Sequence, residues 1–353
     1  MTIIDVKESI RQISSILGYR SKIIEDAGLR SIEGNVGVKD DKIFCEGLIE
    51  NDIEKLLAAT KSDLHNHSTK GCRKSWLEER IGRQLAETPD RFDGLEGMQT
   101  WFTNEIKPFC RGREGIVLRW EGAFAEAKRN NIQRLSMNFG TAEIDLVGGV
   151  DAFVSIVEGF RKTDCAETVF EPELTYASSW DVAEEAGRID QYLSGGYFKS
   201  IDVCGGENIQ PFEVFQPLYR KAEKYHLIKR MHVGETGPAE DVMRAVEMLG
   251  LDEIHHGIRV AESEKVMRFL ADQKIQLNVC PSSNVMLGYA RNYKEHPIKL
   301  LYEYGVRVTI NTDDLLIFDS SIENEYRLLY QAGVLSTNQL DEIRRIGLLM
   351  KRS

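Results

Sequence analysis

Short segments with the composition of β-strands alternate with amphipathic helical segments along most of the chain. The segments predicted to be strands are Ser62–His65, Ile132–Phe139, Thr168–Thr175, Ser200–Cys204, Leu227–Val233, Glu253–His256, Gln276–Cys280 and Val306–Asn311. Strands separated by helices pair in parallel, because each helical crossover returns the chain to the same end of the sheet. The pattern therefore predicts an α/β fold, a (β/α)8 TIM-type barrel.

The predicted helices carry apolar residues at helical spacing on one face. In the clearest one, Ser263–Gln273, the first serine can cap the helix. Its apolar stripe consists of Val266, Phe269 and Leu270. The others are Asp181–Leu193, Phe212–Tyr225, Pro238–Leu249, Pro297–Tyr304 and Ile322–Ala332. Because a barrel of this type needs about 250 residues, the 353 residues of the chain hold one barrel with insertions.

The N-terminal part of the chain lies outside this repeating unit. Residues 1–60 are predicted to form an extension that packs on the barrel domain, residues 61–353, with a separate small domain as the alternative. The extension contains predicted helices at Val6–Leu17 and Asn51–Ala59. A charged, glycine-containing stretch with room for a short strand or turn joins them.

A second region, residues 72–111, is inserted between the first strand and the next barrel helix. Its apolar residues recur at helical spacing and are Leu95, Met98, Trp101, Phe102 and Ile106. This stripe either packs against the rim of the barrel or belongs to a helical lid that closes over a ligand and excludes water. The predicted fold includes the lid.

Acidic residues outnumber basic residues by 56 to 45, which gives a formal net charge of −11. This charge argues against nucleic acid or an acidic membrane as the main partner, because both are bound mainly through Lys and Arg. The composition favours a small ligand that is uncharged or cationic. The oligomeric state stays open.

The six cysteines show no Cys-x-x-Cys spacing, as is typical of reduced, buried thiols. The segment Val279-Cys280-Pro281-Ser282 also lacks the Pro-Cys-x-x-Cys order of the zinc deaminases that act on cytosine or on adenine in nucleic acid. Acidic residues interrupt any apolar run at the N-terminus, and no long apolar span follows. We therefore expect a cytoplasmic protein without a signal peptide or membrane segment.

Five predicted strands end in residues that bind metals or transfer protons. These segments are Asp-Leu-His65-Asn-His67, Asp202-Val-Cys-Gly205-Gly-Glu207, Met-His232-Val-Gly-Glu235, Ile-His255-His256-Gly257 and Ile-Asn-Thr-Asp313-Asp314. Residues two apart on a strand point to the same side, so His65 and His67 present two imidazoles to one point. A catalytic zinc ion takes about three protein ligands and a water. His232 and Asp313 are the natural remaining candidates.

Each of these segments alone has an ordinary explanation. A His-x-His pair is usually incidental, and two adjacent aspartates often cap a helix. The combination is more informative, because five of the seven histidines fall inside the five segments. In a parallel barrel all five strand ends open on one face, which favours a metal-dependent active site. His255 should point away from His256 on its strand, so we predict a structural role for it.

From about Lys61 onward, the chain resembles the adenosine deaminase family of metal-dependent, amidohydrolase-type barrels. The most specific marks are the segments His-Val-Gly-Glu-Thr-Gly-Pro-Ala-Glu at 232–240 and Asn-Thr-Asp-Asp at 311–314. The resemblance implies that one zinc ion is bound by His65, His67, His232 and Asp313. Zinc is favoured, although His and Asp ligands also accept other divalent metals.

The resemblance also implies roles in catalysis and in substrate binding. Glu235 would share a proton with the purine N1, and His256 would orient the attacking water. Together with Asp313, these are the implied catalytic residues. Asp314 would contact the purine N7, and the backbone N–H of Gly205 would meet N3. The implied substrate-binding residues are Gly205, Asp314, His67 and Thr69.

The chain departs from the family pattern where the sugar of a nucleoside would bind. After the His-x-His pair the family has Leu-Asp-Gly, whose Asp contacts the sugar, whereas this chain has Ser68-Thr69-Lys70-Gly71. The second strand ends in Met137-Asn138-Phe139-Gly140, where the family frequently has Arg-x-Ser. Lys70 either faces an anionic substituent such as a phosphate or is an exposed loop residue.

The implied function is the zinc-dependent hydrolytic deamination of adenosine or 2′-deoxyadenosine to inosine or 2′-deoxyinosine and ammonia. Zinc lowers the pKa of a bound water to about 7, and a desolvated Glu235 would hold the proton that N1 needs. The alternative substrates are a modified adenosine, adenine and an adenine nucleotide. The other alternative is an inactive barrel that binds a nucleoside or a partner protein, although a pure binder does not need Glu235 beside a metal.

Overall fold

The computed structural model describes residues 29–31 and 38–351 of the chain, so the predicted helix Val6–Leu17 lies outside the described residues. Eight parallel strands form one sheet in sequence order. They are β1 (Lys61–His67), β2 (Ile132–Gly140), β3 (Val169–Ala177), β4 (Ser200–Cys204), β5 (Ile228–Val233), β6 (Glu253–His256), β7 (Gln276–Val279) and β8 (Arg307–Ile310). A short antiparallel pair outside this sheet joins Leu29–Ser31 to Leu349–Lys351.

The sheet closes into a barrel between its first and last strands. The backbone N–H of Asp313, just beyond β8, donates to the carbonyl of His65 at 2.9 Å. The carbonyl of Asp313 accepts from the N–H of His67 at 3.3 Å, and Asp313 and Asn66 form a parallel bridge. The predicted (β/α)8 TIM-type barrel is confirmed, and its closing contacts lie at the carboxyl ends of the strands, where such barrels place their active sites.

Helices follow most of the strands and cover the outside of the barrel. They are α1 (Val38–Glu50), α2 (Ile53–Ala58), α3 (Lys74–Ile81), α4 (Gly94–Trp101), α5 (Gly112–Arg129), α6 (Thr141–Val147), α7 (Val150–Asp164), α8 (Val182–Leu193), α9 (Phe212–Lys224), α10 (Ala239–Leu249), α11 (Glu264–Gln273), α12 (Pro281–Met286), α13 (Ile298–Glu303), α14 (Leu315–Phe318), α15 (Ile322–Gln331) and α16 (Thr337–Leu348). In α11, Val266 and Leu270 are buried and Phe269 packs beside them, as the predicted stripe requires. Within the described part of the chain, no helix has the length and apolar content needed to cross a membrane.

Two helices differ from the predictions made from sequence. The sequence predicts a charged joining stretch over residues 38–50, but the chain forms α1 there. Phe44 and Leu48 of this helix are buried in the main apolar core, and tertiary packing of this kind stabilises helices whose own amphipathic pattern is weak. The helix α16, absent from the predictions, begins with a capping box of Ser336 and Gln339. It packs against β1 and β8 and so covers the closure of the barrel.

The insertion after β1 forms a second apolar cluster. It contains α3, α4, a π-helical turn at Phe102–Ile106 and a 3₁₀ turn at Lys107–Phe109. Its buried apolar side chains pack against Leu316 and Phe318 of α14. Because α14 begins directly after Asp314, the insertion contacts the segment that carries one of the predicted site residues.

Charged side chains fill part of the barrel interior. Arg230 on β5 is fully buried and donates to Glu253 Oε2 and to Glu173 Oε2, each at 2.8 Å. Arg134 on β2 donates to Glu171 Oε1 at 3.0 Å. These buried charges therefore have opposite charges as hydrogen-bond partners, which offsets the cost of removing them from water.

Candidate active site

The carboxyl ends of the strands bring the four predicted metal ligands together. His65 and His67 lie on β1, His232 lies on β5, and Asp313 follows β8. Oδ1 of Asp313 is 3.1 Å from His67 Nε2 and 3.4 Å from His65 Nε2. One ring nitrogen from each histidine lies within 4.8 Å of those of the other two. Nitrogen and oxygen atoms of the kinds that zinc accepts therefore converge on one point.

Each of the three histidines has a second polar neighbour at Nδ1. The pairs are His232 with Asp202 Oδ1 at 3.0 Å, His67 with the Asn138 side-chain amide at 2.8 Å, and His65 with Cys280 Sγ at 3.3 Å. Contacts of this type fix the orientation of an imidazole that binds a metal through Nε2. The three rings therefore have the surroundings expected of histidines that could bind a metal.

Nε2 of His65 is buried and has no hydrogen-bond partner among the described residues. Leaving a buried polar atom without a partner costs free energy, so the atom is expected to meet a group that binds there. Burial, together with the neighbouring imidazoles, holds the pKa of His65 well below its ordinary value. A neutral imidazole with an unpartnered nitrogen suits a divalent cation, so these residues fit a zinc ion.

Glu235 and His256 lie side by side, with Oε1 of Glu235 3.4 Å from His256 Nδ1. The side-chain amide of Asn284 donates to Glu235 Oε1 at 3.3 Å and lies 3.3 Å from His256 Nδ1. Burial, followed by the charges of Asp313 and Glu207, raises the pKa of Glu235 well above its ordinary range. The carboxyl group therefore holds its proton more readily than an exposed glutamate does, which is the tendency that a general acid needs.

The backbone at the end of β6 turns both of its histidines into the barrel. His256 has a left-handed backbone with a φ of 63°, and its Nε2 lies 3.9 Å from Asp313 Oδ2. The ring of His255 lies 4.0 Å from that of His65, and its Nε2 is 3.0 Å from Glu173 Oε1. The prediction that His255 points away from the site is wrong, because the left-handed residue interrupts the alternation of the strand.

The carboxylate of Glu207, in the loop after β4, is bonded to the turn that carries Glu235. It accepts hydrogen bonds from the backbone N–H groups of Gly234, Glu235, Thr236 and Gly237 at 2.9, 2.7, 2.6 and 3.1 Å. The hydroxyl of Thr236 adds a fifth contact at 3.2 Å. Two neighbouring strand ends are therefore joined through one side chain.

Lys70 points into the site. Its Nζ donates to Asp314 Oδ2 at 2.8 Å and lies 5.7 Å from the ring centroid of Phe102 in the insertion. The Lys70 side chain is 21% exposed, so the alternative of an exposed loop lysine is wrong. Oδ1 of Asp314 is buried and has no partner in the described structure, which leaves it available to a ligand.

The other two predicted substrate-binding residues lie in tightly defined surroundings. The hydroxyl of Thr69 donates to Glu143 Oε1 at 3.2 Å, and its carbonyl accepts from Arg119 Nη1 at 2.8 Å. Gly205 has a φ of 103°, a conformation that favours glycine. A Cβ there would lie only 3.1 Å from Ser178 Oγ. Thr69 therefore has protein partners of its own, and position 205 requires a glycine.

Sequence reasoning missed Asn284 and Cys280 at this site. Cys280 directly follows β7 on the functional face, and its position at the end of a strand is the sequence feature that could have marked it as a site residue. Asn284 lies one helical turn further on, in α12, where no motif marks it. Its position between Glu235 and His256 depends on the packing of the loops and emerges only from the fold.

Known proteins share this sequence pattern. The sequence model of the family described as adenosine deaminase matches residues 156–351, more than half of the chain. The chain belongs to the adenosine deaminase family. It is 28% identical to a putative adenosine/adenine deaminase of Treponema pallidum over 285 residues, which are 80% of this chain and 95% of that protein. This family member is thus an adenosine deaminase-like aminohydrolase.

Two solved structures share the fold of this adenosine deaminase family member. An amidohydrolase from Burkholderia ambifaria with bound Zn has a TM-score of 0.70 and 16% identity, covering 91% of this chain and 90% of that chain. The N6-methyl-AMP deaminase from Arabidopsis thaliana has a TM-score of 0.68 and 16% identity, covering 83% and 91%. At this level of identity the likeness shows the barrel fold alone.

Proposed function

We propose that this aminohydrolase catalyses the zinc-dependent hydrolytic deamination of adenosine or 2′-deoxyadenosine, giving inosine or 2′-deoxyinosine and ammonia. The observation that carries the proposal is the position of Glu235 beside His256, next to the converging imidazoles and Asp313. Replacing an aromatic amino group by oxygen requires both a strong nucleophile and an acid that protonates the ring nitrogen. The site offers groups suited to each task.

The proposed ligands of the zinc ion are His65, His67, His232 and Asp313. Zinc in such a site lowers the pKa of water to about 7 and so supplies a nucleophile at neutral pH. Two observations support this assignment, the unpartnered Nε2 of His65 and the Nδ1 contacts of all three histidines. The zinc in the Burkholderia ambifaria structure is consistent with it.

Glu235 is proposed to donate its proton to the purine N1 as the nucleophile adds to the ring. His256 is proposed to orient the attacking water, because burial lowers its pKa to about 3 and a neutral ring can accept a hydrogen bond from the water. Asp313 is proposed to contribute both to metal binding and to catalysis. The Asn284 amide, bonded to Glu235, helps to hold the acid in place.

The proposed substrate contacts are Gly205 at N3, Asp314 at N7, and His67 and Thr69 on the side of the sugar. Lys70 replaces the sugar-contacting end of the family motif, and its charge is already paired with Asp314. A phosphate would therefore meet a carboxylate as well as the ammonium group, which favours a nucleoside over a nucleotide. The rebuilt loop equally favours one alternative, free adenine, which needs no sugar contact.

The first test is an ultraviolet assay of the zinc-loaded protein against adenosine, 2′-deoxyadenosine, adenine, AMP and N6-methyladenosine, with ammonia release as the second readout. We expect turnover of adenosine or 2′-deoxyadenosine that disappears on chelation and returns with zinc. Turnover of adenine, AMP or N6-methyladenosine alone would replace the proposed substrate by that alternative. Silence across the panel despite bound zinc would contradict the proposal.

Glu235→Gln distinguishes an enzyme from a barrel that only binds its ligand. The variant keeps the size of the side chain but cannot deliver a proton to N1. We expect turnover to fall by about 10²- to 10⁴-fold, with zinc content and substrate binding retained. If wild-type protein binds a nucleoside with no turnover and the variant binds equally well, the chain is a binding protein.

A further inference from the structure

The loop after β4 ends in a carboxylate that binds four consecutive backbone N–H groups. Oε2 of Glu207 accepts from Gly234 and Gly237, and Oε1 accepts from Glu235 and Thr236. N–H groups in a turn have no regular partners, and an anion that gathers several of them fixes the conformation of the turn. We refer to this arrangement as the Glu207 clamp.

The turn is shaped to receive the carboxylate. A Cβ at Gly237 would lie 2.7 Å from Glu207 Oε2, so a side chain at this position would compete with the clamp. Gly234 has a φ of 76°, and a Cβ there would lie 2.3 Å from Val242 Cγ2. The two glycines on either side of Glu235 therefore let the turn close around the clamp.

Among the described residues, the polar contacts of the Glu235 side chain are long. Its carboxyl group lies 3.3 Å from the Asn284 amide and 3.4 Å from His256 Nδ1. Hydrogen bonds at these distances restrict the carboxyl weakly. Its position is set mainly by the backbone, and Glu207 binds that backbone at 2.7 Å.

We propose that Glu207 is a positioning residue for Glu235, which holds the proton donor of the deaminase at the distance that the purine N1 requires. The inference rests on the proposed function and adds a residue to which the family resemblance assigns no role. The negative charge of Glu207 acts in the same direction, because it adds to the effect of burial and of Asp313 in raising the pKa of Glu235.

Glu207→Gln tests the positioning role. The carboxamide has the same size, but it offers one acceptor oxygen and places N–H donors against the N–H groups of the turn. We expect kcat to fall about 10- to 100-fold, as for a displacement of a reacting group by up to about 1 Å. KM should change far less, and zinc content should stay constant because His232 lies on β5, before the turn. Glu213→Gln, the same change at an exposed residue of α9, should leave kcat unchanged.

A double-mutant cycle separates positioning from a general structural effect. If Glu207 acts through Glu235, adding Glu207→Gln to the Glu235→Gln variant should lower the remaining rate by less than about twofold. An equal loss in both backgrounds would overturn the proposal. Should Glu207→Gln fail to fold, Glu207→Asp keeps the charge while drawing the carboxylate back by one methylene, and the same loss of kcat is expected.

Hydrogen exchange of the four amides at 234–237 tests the clamp without reference to activity. These amides should exchange slowly in wild type and rapidly in Glu207→Gln, at an unchanged midpoint of thermal unfolding. If the zinc-loaded protein deaminates no purine but these four amides still exchange slowly, the proposed function is refuted while the Glu207 clamp stands. An active wild type and a Glu207→Gln variant with the same kcat would overturn the positioning role.

Discussion

Two buried carboxyl groups at this site have opposite tendencies to ionise. Burial raises the pKa of both Glu235 and Asp313. At Asp313 the hydrogen bond from His67 and the electrostatic interactions with the imidazoles of His256 and His67 outweigh burial, and its pKa is lowered. At Glu235 burial and the charges of Asp313 and Glu207 outweigh the opposing effect of His232, and its pKa is raised. The surroundings of each residue thus match the proposed roles of one anionic metal ligand and one protonated acid.

At the same scale, Asp202 is predicted to control metal affinity through His232. Asp202→Asn removes the charge that faces His232 Nδ1 at 3.0 Å. We expect zinc affinity to fall about 10- to 100-fold, measured by competition with a chelator. Asp181→Asn, at the exposed cap of α8, is the control and should leave zinc affinity unchanged. Equal affinity in wild type and Asp202→Asn would contradict the role of the Asp202 charge in supporting His232.

Among the elements, the contact between α5 and the insertion depends on a glycine. A Cβ at Gly122 would lie 2.5 Å from Cys72 Cβ and 2.6 Å from Trp76 Cζ3. Gly122→Ala should therefore destabilise the protein by about 1–3 kcal/mol through overpacking. Gly159→Ala, on an exposed face of α7 with no described atom within 4 Å of the new Cβ, should instead stabilise it by up to about 1 kcal/mol. Thermal unfolding of both variants measures these two changes in stability. A Gly122→Ala variant as stable as the wild type would contradict the close packing at Gly122.

The elements also show how far sequence determines this structure. The strands from β4 to β8 are predicted within about two residues, because short apolar runs between helices have few alternative partners. The helix α1 escapes prediction, since its burial depends on contacts with residues far away in the chain. The Nδ1 partner of His65 and the Glu207 clamp escape for the same reason. Local sequence patterns mark the candidate metal ligands and proton donors. The residues that position them lie on loops that come together only in the folded barrel.

For the molecule as a whole, the buried ion network predicts sensitivity to acid. Burial raises the pKa of Glu173 and Glu253, but neighbouring groups outweigh it and lower each pKa to about 2. These groups are His255 and Arg230 at Glu173, and Arg230 and Arg134 at Glu253. An unfolded glutamate has a pKa of about 4.3. The folded state therefore gains stability from these groups above about pH 4.3 and loses it as the pH falls toward 2.

We expect the midpoint of thermal unfolding to fall steeply between about pH 4.5 and pH 2.5. Glu173→Gln should reduce the change in the unfolding midpoint over this pH range, because it removes one of the two carboxyl groups whose pKa is lowered. A midpoint that stays constant from pH 5 to pH 3 in the wild type would contradict the network.

The closure of the barrel has a consequence for biosynthesis. His65 and Asp313 are 248 positions apart (313 − 65 = 248), yet the backbone contacts that join the first and last strands involve the residues proposed to bind the metal. A chain emerging from the ribosome has His65 and His67 early, but it lacks Asp313 until nearly all of the barrel has been made. Full metal affinity would then appear only after the last strand has docked. The metal would act as a reporter of completed folding, and a chain that ends before β8 would lack both the closure and the fourth ligand.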